Sequence, residues 1–164
     1  MEVTPDPTGP GQESVWSYPR PPAAEPTRLL LRVIHRGVGV AETRRGVRVL
    51  ETSHPPGYYF PRADVAASAL RPSGRRSWCE WKGEAVYFDV LAGGETLRDA
   101  AWSYPDPVPG FASLRGHVAF YAGPFEGCFV DGERAVAQPV AFYGGWITSR
   151  VTGPFKGAPG SRFW

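Results

Sequence analysis

Glycine and proline interrupt this chain too often for a long helix to form. The 20 glycines and 18 prolines among 164 residues separate short apolar runs rather than helical periods. Proline fixes φ and removes a backbone donor, while glycine admits tight turns, so such punctuation favours many short strands joined by turns. The chain is nonetheless built to fold. At 42% hydrophobic and 13% aromatic residues it lies outside the disordered class. Its length suits one domain burying roughly 70% of its unfolded surface.

Four stretches follow from composition along the chain. Residues 1–13 are expected to be a disordered lead. Residues 14–27 form a proline-rich extension that favours polyproline II and packs on the body. Trp16 and Tyr18 hold it there, each ring able to bury about 150–250 Å². Within it, Pro19-Arg20-Pro21-Pro22 also fits a PxxP pattern for a partner domain. A core β domain spans 28–138, with strands expected at 29–35, 38–42, 47–50, 78–82, 85–91, 101–104, 118–121, 128–130 and 134–137. Arg36-Gly37 and Asp131-Gly132 are its clearest hairpin turns. Residues 139–164 form a Gly/Pro-rich C-terminal extension with a last strand near 146–151. One short helix is expected near 62–70, after Pro61, with Asp64 at its start and Ala66, Ala67 and Ala69 within it. The fold class is therefore mainly β: a single small antiparallel domain with one short helix and extended N- and C-terminal segments.

Charge and motif spacing exclude several functions. Sixteen arginines, Lys82 and Lys156 are scattered among sixteen carboxylates, for a net charge of +2. No basic stripe for a phosphate backbone emerges, so nucleic acid is not an expected partner. Cys79 and Cys128 are separated by 48 intervening residues, and three histidines show no HxxxH or HExxH spacing, so neither a metal nor a cofactor is expected. The segment from Gly153 to Ser161 departs from the phosphate-loop template, because Lys156 precedes the glycine and proline removes N–H donors. No apolar run approaches a membrane span, and Met1 to Gln12 lacks the character of a signal peptide. A cytoplasmic protein with reduced thiols is the expectation. A homo-oligomer is left open.

The aromatic residues carry the functional reading. Tyr58, Tyr59 and Phe60 lie between prolines, in a stiffened loop that would present a ring to a ligand. Trp78 and Lys82 would share one strand face, with Cys79 and Trp81 on the core side. Together Tyr58, Tyr59, Trp78, Trp102 and Tyr104 would wall a recess, with Arg62 and Lys82 as cationic anchors for a small organic or anionic ligand. The alternative is an enzyme in which Lys82, Cys79 or His54 performs acid–base or nucleophilic work. A third reading is an interaction module using the proline-rich ends.

A family resemblance covers residues 28–131. Ala41-Glu42-Thr43, Val49-Leu50-Glu51-Thr52 and His54-Pro55-Pro56-Gly57-Tyr58-Tyr59-Phe60-Pro61-Arg62-Ala63-Asp64-Val65 carry it. So do Cys79-Glu80-Trp81-Lys82-Gly83, Ala100-Ala101-Trp102-Ser103-Tyr104 and Gly116-His117-Val118-Ala119-Phe120-Tyr121. In order and spacing these residues resemble the family catalogued as domain of unknown function 427. The resemblance implies a β-tent-like structure, shared with zinc-binding and sulfoxide-reducing relatives, but no activity. Members are sometimes labelled nucleotidyltransferase, which would call for a Gly-rich turn followed by an Asp-x-Asp or Asp-x-Glu pair. Here Gly93-Gly94 precedes a lone Asp99, and Asp131-Gly132-Glu133 reads as a hairpin turn.

Overall fold

A computed structural model describes residues 2–164. Its strands are β1 (Glu13–Ser14), β2 (Ala23–Pro26), β3 (Leu31–His35), β4 (Val38–Thr43), β5 (Val47–Leu50), β6 (Gly57–Pro61), β7 (Leu70–Cys79) and β8 (Gly83–Ala92). There follow β9 (Glu95–Ser103), β10 (His117–Phe120), β11 (Gly127–Val130), β12 (Glu133–Arg134), β13 (Val136–Ala137), β14 (Trp146–Ile147) and β15 (Val151–Thr152). About 44% of residues are strand and 7% helical, so the mainly β, largely antiparallel architecture is as expected. Among the described residues no sheet closes into a barrel.

A seven-stranded sheet runs in the order β2-β5-β6-β10-β9-β8-β7, and a four-stranded sheet in the order β12-β11-β3-β4. Of two small pairs, β1 with β15 ties the N-terminal segment to the C-terminal one, and β13 with β14 holds the C-terminal segment to the end of the core chain. Strand alternation sorts side chains to the two faces of the large sheet. Tyr58, Phe60, Phe88, Val90, Ala101, Val118 and Phe120 point one way and meet Leu31, Val33, Val40 and Val130 of the small sheet. Tyr59, Ala85, Tyr87, Trp102 and Ala119 point the other way, into a second cluster with Val47, Val49, Tyr104, Phe111 and Leu114.

Residues 57–61 are a central strand rather than the expected loop. β6 pairs antiparallel with both β5 and β10, Tyr59 standing opposite Val47 and Ala119. Aromatic residues suit a pleated, buried surface, and Pro61 ends the strand, where its missing donor does least harm.

The helix expected near 62–70 is a single 3-10 turn, Arg62–Asp64. Beyond it, Val65 bridges to Ala41 and the Ala66 N–H donates to Val40 O at 2.8 Å. Pairing with the sheet thus prevails over the helix propensity of the alanines. The longest helical stretch is Pro109–Leu114, which seats Phe111 and Leu114 against the second cluster.

The strand expected at 78–82 ends at Cys79. Residues 80–82 form the turn into β8, and Gly83 adopts φ +112 to begin the return. Lys82 O there accepts from the Val108 N–H at 3.0 Å.

At the ends of the chain, Val15, Tyr18, Leu50 and Val151 form a third buried cluster. The Trp16 indole donates to Pro154 O at 2.9 Å, and the Asp6 N–H to Gly153 O at 2.8 Å. Among the described residues no helix is long and apolar enough to cross a membrane.

Candidate functional site

On the face of the large sheet that carries Tyr59, the rings leave a hollow of about 570 Å³. Alternation builds its floor, because Val49, Tyr59, Tyr87, Trp102 and Tyr121 all project to that side. Tyr59 lies 6.3 Å from both Trp102 and Tyr104, and Trp102 lies 4.5 Å from Tyr121, measured between ring centroids. One rim comes from the β7–β8 turn, with Trp78, Cys79, Trp81 and Lys82. The other comes from the C-terminal segment, with Gln138, Phe142, Tyr143 and Lys156.

Of the seven residues read from sequence, five line this cavity: Tyr59, Trp78, Lys82, Trp102 and Tyr104. Trp78 is 71% exposed and stands at the mouth. Tyr58 is on the opposite face, 5.4 Å from Trp146 in the core between the sheets. A strand cannot send consecutive side chains to one side. Arg62 also lies away, over the Phe88 ring at 5.4 Å. The turn at residues 80–82 brings Lys82 to the same hollow as Cys79, instead of the opposite strand face.

The electrostatics centre on Lys82, Glu51 and His54. The Lys82 ammonium stands 5.7 Å from the Tyr104 ring and 5.8 Å from the Phe111 ring. Burial opposes its charge, but Tyr59, Cys79 and Glu51 outweigh burial and hold the pKa above the ordinary lysine value. The net direction favours the charged ammonium at this position. Burial pushes the Glu51 carboxyl above the usual carboxylate range, against the pull of Lys82, Arg20 and Lys156. Burial and the charges of Lys156, Arg20 and Lys82 push His54 down to about 4. Its Nε2 faces Glu51 Oε2 at 3.6 Å, and its ring meets Tyr143 edge-on at 5.3 Å.

Lys156 holds the C-terminal turn. Its Nζ donates to the main-chain oxygens of Ser161, Arg162 and Trp164, at 2.8, 3.0 and 3.1 Å. Trp164 packs edge-on against Trp16 at 5.2 Å.

Both cysteines are free thiols: Cys79 lines the cavity, and Cys128 is buried in the core between the sheets. The Asp131/Glu133 pair is engaged structurally. Asp131 accepts from the Leu30 N–H and pairs with Arg150, while Glu133 accepts from the N–H and hydroxyl of Ser149.

Glu51, Tyr121, Gln138, Tyr143 and Lys156 were not singled out as site residues from sequence. The first two were within reach of strand periodicity, since Glu51 continues the Val47, Val49 face and Tyr121 the Ala119 face. No sequence pattern marks Gln138.

A family model described as a domain of unknown function, DUF427, matches residues 23–131. No curated protein matches the chain. The matched stretch contains the floor and the Lys82 rim, and Gln138, Phe142, Tyr143, Lys156 and Trp164 lie beyond it.

Proposed function

The chain belongs to the DUF427 family of domains of unknown function, and we propose that it binds a small, planar organic anion in the aromatic cavity. The carrying observation is Lys82. Among the described residues it joins no ion pair within 4.0 Å, yet it is partly buried at the edge of a cavity. Buried ammonium groups are ordinarily paired. Here the faces of Tyr104 and Phe111 supply partial compensation, a cation–π contribution on the order of 0.5–2 kcal/mol. An anion entering the hollow completes the pairing while its plane packs on Trp102 and Tyr59. A volume of about 570 Å³ is typical of small-molecule sites.

Thermal denaturation with 2-naphthoate, and with its neutral analogue 2-naphthalenemethanol, tests this reading. The acid is expected to raise Tm in the wild type more than the alcohol does, and Lys82→Met to remove the difference. Equal shifts for the two compounds, or an undiminished difference in the variant, would contradict it.

One observation favours the enzyme alternative as a second reading. Glu51, His54, Lys82 and Cys79 all line one cavity, the grouping that acid–base chemistry requires. With Lys82 held as a cation, Glu51 is the residue suited to accept a proton, and Lys82 to stabilise a developing oxyanion. An acid found to bind, incubated with the protein in D2O, would then take up carbon-bound deuterium detectable by mass spectrometry. An unlabelled acid would leave binding as the function.

A further inference from the structure

Building on the anion-binding reading, we propose that the ligand is a planar hydroxy acid or its N–H equivalent, its anionic group meeting Lys82 and its donor meeting Glu51. The two side chains are complementary. Lys82 is a donor without an ion-pair partner, and Glu51 is an acceptor faced within 4.0 Å by the His54 ring, at 3.6 Å: among the described residues the Glu51 carboxylate receives no side-chain hydrogen bond within 3.5 Å, and Lys82 and Glu51 do not pair with each other within 4.0 Å. Both line the same cavity. A carboxylate offers about four lone-pair sites, and leaving them empty in a desolvated place costs free energy.

The nearest protein donor to Glu51 is fixed by a chain of hydrogen bonds. Gln138 Oε1 accepts from the Gly145 N–H at 3.0 Å, and its Nε2 donates to Lys156 O at 2.9 Å. The second Nε2 hydrogen then points at His54 Nδ1, 3.0 Å away. Nδ1 is therefore the acceptor, and the imidazole proton resides on Nε2, facing Glu51. At 3.6 Å that N–H is too far to satisfy the carboxylate. His54 thus leaves room for a ligand donor beside it. Burial holds the Glu51 carboxyl high, as expected of an acid whose acceptor sites await a donor.

With Glu51 ionised, a single anion cannot use both groups, because a bare carboxylate presents nothing for Glu51 to accept. A neutral alcohol cannot use Lys82 as a counter-ion. Only a molecule carrying an anion and a donor on one rigid plane satisfies both, and rigidity limits the ordering cost on binding.

Calorimetric titration at pH 7.5 with 6-hydroxy-2-naphthoate, 6-methoxy-2-naphthoate and 2-naphthoate tests the inference. The hydroxy acid is expected to bind roughly ten- to a hundredfold more tightly than the other two, the range for a hydrogen bond to a charged group. Glu51→Leu should bring the three affinities within about threefold of one another. Glu51→Gln, which keeps the shape, should reduce the preference at least threefold should the leucine variant fail to fold. Acids that bind through Lys82 with equal affinity, or a preference untouched by both Glu51 variants, would overturn this inference and leave anion binding standing. No binding by any of the three acids, or binding indifferent to Lys82→Met, would overturn the reading beneath it as well.

Discussion

His54 is neutral because of what surrounds it, and that neutrality makes stability depend on pH. Its imidazole falls from the ordinary 6.5 to about 4 through burial first, then the nearby cations. A protonated ring would also turn Nδ1 into a donor facing the Gln138 amide. Between about 4 and 6.5 the unfolded chain therefore binds the proton and the folded chain does not. The stabilisation is complete above 6.5 and drains as pH falls towards 4, by on the order of 3 kcal/mol. Urea denaturation from pH 7 to 4.5 should show that loss, and His54→Gln should flatten it. Glu51 acts in the opposite sense. Its carboxyl is raised by burial, so its contribution is greatest below the ordinary glutamate value and is lost as pH rises through the folded value. Glu51→Gln should accordingly raise Tm at pH 7, by a margin that shrinks towards pH 4. An equal Tm difference at both pH values would contradict the assignment. Neither behaviour was legible in the sequence. The His54 shift is set first by burial and then by Lys156, Arg20 and Lys82, which are distant in the chain and meet only on folding.

At the scale of elements, periodicity was a better guide than composition. The alternation of 85–91 and 118–121 was legible, and the structure places those residues on faces as a pleated strand must. The segment 54–62 was misread because its prolines suggest a loop, whereas Gly57–Pro61 becomes a central strand once both its neighbours pair with it. That single difference explains why Tyr59 reaches the cavity and Tyr58 does not. The rim formed by 142–145 was not legible at all, since nothing local says that a Gly-Gly step must lie against an indole. A Cβ on Gly144 would clash with the edge of the Trp102 indole, whereas one on Gly110 would meet open space. Gly144→Ala is therefore expected to lift the segment off Trp102. Amide exchange across 139–145 should accelerate and 2-naphthoate affinity should fall several-fold, with β8 and β9 still protected. Gly110→Ala serves as the matched control. Overpacking that forced the core to adjust would cost about 1–3 kcal/mol; unchanged exchange in 139–145 together with a lowered Tm would mean that the segment holds and the sheet yields.

For the whole molecule, the deciding residue is Trp146, which comes from the glycine- and proline-rich C-terminal segment and is fully buried. Its ring packs 5.4 Å from Tyr58 and 6.1 Å from Phe60, its indole N–H donates to Phe120 O at 2.9 Å, and its backbone N–H to Pro56 O at 2.9 Å. A tryptophan in such a segment signals burial, but the sequence names no partner for it. Here the partners are two central strands of the large sheet, so the segment beyond the family-matched residues is tied into the core between the sheets. The same segment then carries Gln138 and Tyr143 to His54, which couples the cavity's far rim to global stability. Trp146→Ala should cost about 3–5 kcal/mol, the usual range for emptying an aromatic core site. Equilibrium urea unfolding followed by both fluorescence and circular dichroism should give one coincident transition in wild type and variant alike. Two separated transitions, or a loss below about 1 kcal/mol, would mean that the C-terminal segment folds onto a body already stable without it. The rim it supplies could then open without cost to the fold.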